Sequence, residues 1–198
     1  MSTLSVSIHN RNLDWRLPSR GRVGMHCLIA AEAAIFTIFV VAYLFYIGKS
    51  ATGPQPKDVL HPPIFYTVCL LASSLTMHAA VRKLVAGSMA AFAGLWLLTI
   101  VLGGAFLYGT AREWIHLIFD DGLTISTNLF GTTYYSLVGL HAFHVTMGLL
   151  ALIIVALFYF AARLRREHAE RLEILSMYWH FVDAVWIVVF TVVYVVGV

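Results

Sequence analysis

Seven histidine or acidic side chains fall inside long apolar runs of this sequence: His26, Glu32, His78, His141, His144, His180 and Asp183. An ionisable group in such a run is a functional candidate, because a charge within hydrocarbon costs several kcal/mol. His141 and His144 stand three residues apart, which on a helix is one face, and His180 and Asp183 repeat that spacing. Imidazole and carboxylate are metal ligands, so these four together would make a metal site. His78 and His180 could hold a b-type haem between two helices. Glu32 could carry protons, as membrane carboxylates do, with Asp183 the other acid inside an apolar run. Single histidines at a helix interface also serve simply as hydrogen-bonding glue.

Which of these applies depends on the elements that position the residues. Apolar residues make up 60% of the 198 and charged residues only 12%, far below the share in a soluble domain. Five apolar stretches reach the roughly 20 residues a membrane-spanning helix needs. They run over 25–47, 64–84, 90–110, 131–162 and 174–196. Gly53, Pro54, Pro56, Pro62 and Pro63 interrupt the first and second spans, where a helix cannot continue. The first run is too long for the apolar part of a cleavable signal, so it is expected to be kept. Cys27 and Cys69 lie in apolar runs without CxxC or Cys/His spacing and read as small packed hydrophobes. With no internal repeat and no soluble domain, the chain reads as an all-α polytopic bundle over 24–198, preceded by a segment over 1–23.

Orientation follows the positive-inside rule. Ten of the thirteen lysines and arginines fall on one side: Arg11, Arg16, Arg20 and Arg22, then Arg82 and Lys83, then Arg163, Arg165, Arg166 and Arg171. The other side has Lys49, Lys57 and Arg112 together with Asp58, Asp120 and Asp121. The N-terminus is therefore expected in the cytoplasm and the C-terminus outside. The net charge of +3 reflects arginines beside a membrane rather than a nucleic-acid surface.

Depth then sorts the candidates. At 1.5 Å per residue from the basic ends, Glu32, His78, His180 and Asp183 lie roughly 9 to 14 Å in, and His144 about 27 Å in. This predicts a network of Glu32, His78, His180 and Asp183, and a second layer of His141, His144 and Glu113. A gap of roughly 18 Å between layers is far beyond a metal–ligand bond of about 2.1 Å, which argues against one shared metal site. Glu32 is expected to be protonated or paired with a histidine of a neighbouring helix. Gly103, Gly104, Ser73, Ser74, Gly139 and Gly148 read as places where helices approach closely. Tyr43, Tyr46, Trp114, Tyr134, Tyr178 and Trp179 read as an interfacial aromatic belt.

Several of these stretches resemble subunit III of the haem-copper terminal oxidases. Residues 178–186, YWHFVDAVW, are similar to that family's YWHFVDVVW, and 139–145, GLHAFHV, to its GFHGLHV. Gly24-Met25 followed by Glu32, Leu70 to Ser74, Glu113-Trp114, Phe130-Gly131 and Glu173 also fall in step. The likeness covers about 24–197 and looks like the short bacterial form, which lacks the first two of seven spans. Ala142, Arg171 and Thr110 depart from the family's usual glycine, glycine and glutamine.

The resemblance implies a subunit with no metal or haem of its own, packed against subunit I, which holds haem and copper, and associated with subunit II and other respiratory-complex subunits. It implies support of a proton-pumping oxidase that reduces oxygen to water, phospholipid binding with Trp179, Tyr178, Glu173 and Arg171 as lipid contacts, and a place in the bacterial inner membrane. Tyr178-Trp179 looks like cytochrome c oxidases and residues 189–194 like quinol oxidases, and cytochrome c is preferred. Two other readings are an accessory subunit of a nitric oxide reductase and an independent proton or solute transporter. The transporter would be expected to show broken helices or a repeated half, and the sequence has neither.

Overall fold

The computed structural model describes residues 19–50, 53–164 and 166–197. Most of the 1–23 segment, with Arg11 and Arg16, and also Arg165, lie outside the described residues. Among those described there are helices and turns but no strand. The elements are α1 (Arg20–Tyr46), a one-turn α2 (Pro56–Val59), α3 (Ile64–Val85), α4 (Met89–Phe119), α5 (Leu129–Phe160) and α6 (Ala169–Phe190). A 3-10 turn over Arg166–His168 leads into α6, and a π-helical stretch over Thr191–Val196 extends it. Among the described residues five helices are long and apolar enough to cross a bilayer, as the composition predicts: α1, α3, α4, α5, and α6 with its extension.

Local chemistry explains where they start and stop. The Ser19 hydroxyl accepts from the Arg22 amide at 3.4 Å, so α1 begins five residues before the expected Met25. Asn128 caps α5 by accepting from the Gly131 amide at 2.8 Å, while its side-chain amide donates to the Pro54 carbonyl. The first loop is thereby tied to the start of α5, and the Phe130 amide donating to Ser50 Oγ adds a second tie. The turn after α3 closes through Gly87 and Ser88 amides onto the Leu84 and Lys83 carbonyls, with Gly87 at φ 84°. The same pattern ends α5 through Ala162 and Arg163, but there the left-handed position falls on an alanine, Ala162, at φ 54°.

The helix of the third span runs past the expected span end at Thr110: α4 continues to Phe119 and carries Arg112 and Glu113. Charge lowers hydropathy but does not stop a helix, and a helix leaving the hydrocarbon can go on. α5 is also long, about 48 Å at 1.5 Å per residue against roughly 30 Å of hydrocarbon.

The helices pack as a ring in the order α1, α6, α3, α4, α5, with α5 also touching α6. α6 is the most enclosed span and α1 the least, so α1 turns Ile38, Val41 and Phe45 outward. Packing around α6 is close because two glycines admit its largest side chain. A Cβ on Gly103 of α4 or Gly148 of α5 would stand 2.9 and 2.8 Å from the Trp179 ring. Trp179 is fully buried in that slot and donates to Ser73 Oγ at 2.9 Å. Trp96 donates to the Leu152 carbonyl and Trp186 to Thr67, so these buried indoles lose no hydrogen bond. Gly103 and Gly148 thus pack helices, as expected. The aromatic belt is corrected in part: Trp179, Tyr43 and Tyr134 are each 0% exposed and belong to the core. An i,i+3 pattern in an all-round apolar helix does not reveal which face meets protein and which meets lipid.

Candidate functional site: the buried polar groups

Glu32, one turn before Phe36 on α1, points at α5. Its carboxylate lies 3.1 Å from His144 Nε2, and His144 Nδ1 lies 2.8 Å from the Leu140 carbonyl. A carbonyl only accepts, so Nδ1 carries a proton. Nε2 then either accepts from a protonated Glu32 or, as imidazolium, donates to its carboxylate. In both forms one proton is shared and the pair is neutral as a whole, which is what a low-dielectric setting favours. Phe36 packs on the His144 ring at 5.1 Å between centroids, and the Tyr178 hydroxyl donates to the His144 carbonyl at 3.2 Å.

This overturns the predicted partition. Glu32 is paired with His144, not with His78, His180 and Asp183. The helices do not start in one plane: α1 begins at Arg20, which puts Glu32 about 18 Å from that end, and α5 overhangs. Glu113 does not join His141 and His144 either. It lies near the far end of α4, where Tyr194 donates to it at 2.7 Å and Tyr134 approaches Tyr194 at 3.5 Å. The π-helical stretch holds Tyr194 in that position, since a wider turn re-aims the side chains beyond it.

His141 is fully buried and stacks on Trp186 at 4.9 Å with Phe106 edge-on at 5.7 Å. Neither of its ring nitrogens has a hydrogen-bond partner among the described residues.

His180 and Asp183 face α3. Ser74 Oγ is 2.5 Å from His180 Nδ1, and the His78 ring is 6.5 Å from the His180 ring. Asp183 is 3% exposed, and its carboxyl lies beside the Ser74 hydroxyl. Among the described residues no three His, Cys, Asp or Glu side chains converge as a ligand set.

Trp179 is corrected as a lipid contact, being enclosed by α4 and α5. Glu173 forms an ion pair with Arg22 of α1 at 2.6 Å, both half-exposed. Arg171 is exposed and lines a cleft of about 400 Å³ with Arg163, His168, Ile154, Phe158 and Leu172. The sequence reading missed Tyr194 and Arg22 as partners. Ser74 stood four residues before His78 on one helical face, a signal that could have marked it.

With this geometry in place, the family model for cytochrome c oxidase subunit III matches residues 19–198. The chain belongs to that family. It is 34% identical over 179 residues to cytochrome c oxidase subunit 3 of Alkalihalophilus pseudofirmus, covering 89% of this chain and 86% of that one. It is 35% identical over 182 residues to cytochrome c oxidase subunit 3 of Corynebacterium diphtheriae, covering 89% and 88%. It is also 33% identical over 179 residues to cytochrome bo(3) ubiquinol oxidase subunit 3 of Pseudomonas aeruginosa, covering 88% and 84%. As a member of this family the chain is a multi-pass membrane protein and a subunit III of a terminal oxidase complex, assembled with other oxidase subunits.

Proposed function

We propose that this chain is the non-redox third subunit of a proton-pumping oxidase in a bacterial cytoplasmic membrane, with its arginine-rich face toward the cytoplasm. It braces the catalytic subunit I, contacts subunit II, binds phospholipid and supports proton uptake, while haem and copper reside in subunit I. Cytochrome c is the proposed donor, although relatives carry both cytochrome c and quinol oxidase names.

The observation that carries this reading is the cleft at the α5–α6 connection. Arg163, His168 and Arg171 stand at its rim, and Ile154, Val155, Phe158, Leu164 and Leu172 form its walls. Cations at the membrane surface above an apolar wall suit a phosphate headgroup above acyl chains. The engagement of two of the histidines supports a role without redox chemistry. His144 has both ring nitrogens engaged, and His180 Nδ1 is held by Ser74.

Affinity purification through a tag on this chain, followed by a haem spectrum, tests the assembly: co-purifying haem a or o is expected, and its absence would count against it. In the same complex, Arg163→Gln with Arg171→Gln should lower the phospholipid retained per complex several-fold and shorten activity during turnover while the initial rate persists. Unchanged phospholipid content in that variant would refute the lipid role.

A further inference from the structure

The seam between α3 and α6 carries a polar group at every turn. On α6, Glu173, Ser176, His180 and Asp183 follow at spacings of three or four and form one stripe. On α3, Ser74, His78 and Arg82 stand four apart and form the facing stripe. The two helices run antiparallel, so the Arg82 end of α3 meets the Glu173 end of α6. There Arg82, His78, Glu173 and Ser176 line a cleft of about 460 Å³. Inward from it come His78 and His180, 6.5 Å apart between ring centroids. His180 then reaches Ser74, and the stripe ends beside it at Asp183, 3% exposed, whose carboxyl oxygens meet no well-aligned donor among the described residues.

A carboxylate buried without a donor is among the most costly groups a membrane helix can hold, and the neutral acid is far cheaper. The charged and titratable groups along the seam are Arg22 from α1, His78 and Arg82 from α3, and Glu173, His180 and Asp183 from α6. Arg22 is engaged with Glu173 at the rim. Among the described residues no side chain of α4 or α5 makes an ion pair or hydrogen bond with Asp183. The site therefore has an open polar mouth, two imidazoles and a hydroxyl in sequence, and a blind acidic end.

We propose that this seam is a one-ended proton branch, in which a proton from water at the basic face passes His78, His180 and Ser74 and is stored on Asp183. Each imidazole takes a proton at one ring nitrogen and releases one from the other. The serine hydroxyl donates its proton as it accepts the next, and the carboxylate ends as the neutral acid, so no co-reactant is needed. The proposal rests on the reading of this chain as an oxidase subunit that supports proton uptake, and adds the place where the proton is held.

Infrared spectroscopy of the intact oxidase transferred from H₂O to D₂O tests it. A carboxylic-acid C=O band present in the wild type and missing in Asp183→Asn assigns the stored proton. Its deuterium shift should be at least tenfold slower in His180→Phe and several-fold slower in His78→Ala. A wild-type spectrum with no band that D183N removes, or an exchange rate unchanged in H180F, would overturn the proposal. If D183N does not assemble, Ser74→Ala must displace the band, and an unmoved band is equally fatal. Loss of phospholipid in the Arg163 and Arg171 variants bears on the lipid reading alone and leaves this band unaltered.

Discussion

Glu32 of α1 and His144 of α5 lie 3.1 Å apart and hold one proton between them, because the other ring nitrogen of His144 is committed to the Leu140 carbonyl. The contact ties the most exposed span of the bundle to the longest one. Removing one partner leaves the other in a site where water is scarce, with the His144 side chain only 8% exposed. Glu32→Ala should cost about 1–3 kcal/mol. The double variant Glu32→Leu with His144→Phe should recover part of it, giving a coupling of at least roughly 0.5 kcal/mol in a thermal-unfolding cycle. Initial oxygen reduction should persist in assembled E32A while lipid retention or durability in turnover falls. Immediate and complete loss of electron transfer in that assembled variant would contradict the non-redox reading.

The slot around Trp179 leads to a steric prediction. Gly148→Ala and Gly103→Ala each place a methyl within 3 Å of the indole, and that ring is packed on every side and hydrogen-bonded to Ser73. Each should destabilise the bundle by about 1–3 kcal/mol. Adding Trp179→Phe should relieve much of the clash in G148A, read as partial recovery of the melting temperature. A G148A protein as stable as the wild type would mean that α5 and α6 pack less closely than described.

Ala162 holds the left-handed position that ends α5, at φ 54°. A Cβ there costs roughly 1–2 kcal/mol, and glycine removes that strain while giving up some in unfolded-chain entropy. Ala162→Gly should therefore stabilise by about 0.5–1 kcal/mol in thermal unfolding, and a loss of stability would count against this helix end.

At the other end of the bundle, Tyr194→Phe removes the hydroxyl that donates to Glu113 at 2.7 Å. The expected cost is about 1–3 kcal/mol, because a half-buried carboxylate loses a donor. Glu113→Gln in the Tyr194→Phe background should add little, since the bond is already gone.

By contrast, Arg22 and Glu173 are a close pair at 2.6 Å, but both are about 40% exposed. Glu173→Gln should change stability by no more than roughly 0.5 kcal/mol. A much larger loss would place a partner subunit over this corner.

Length and apolarity were enough to read five spans, since crossing hydrocarbon demands a long run of apolar residues whatever they pack against. Motif likeness along 178–186 and 139–145 was enough to read the family, because those letters are local. Partner choice was not local. Depth groups Glu32 with His78, His180 and Asp183, and the fold gives it to His144, because helices of unequal length start in different planes and one overhangs. Trp179 looked like a surface aromatic in the sequence, and only the arrival of Gly103 and Gly148 from two other helices buried it. A one-dimensional pattern states which residues a helix carries. Which neighbour each one meets depends on the stagger and rotation of helices that all look apolar on every side, and only packing decides that.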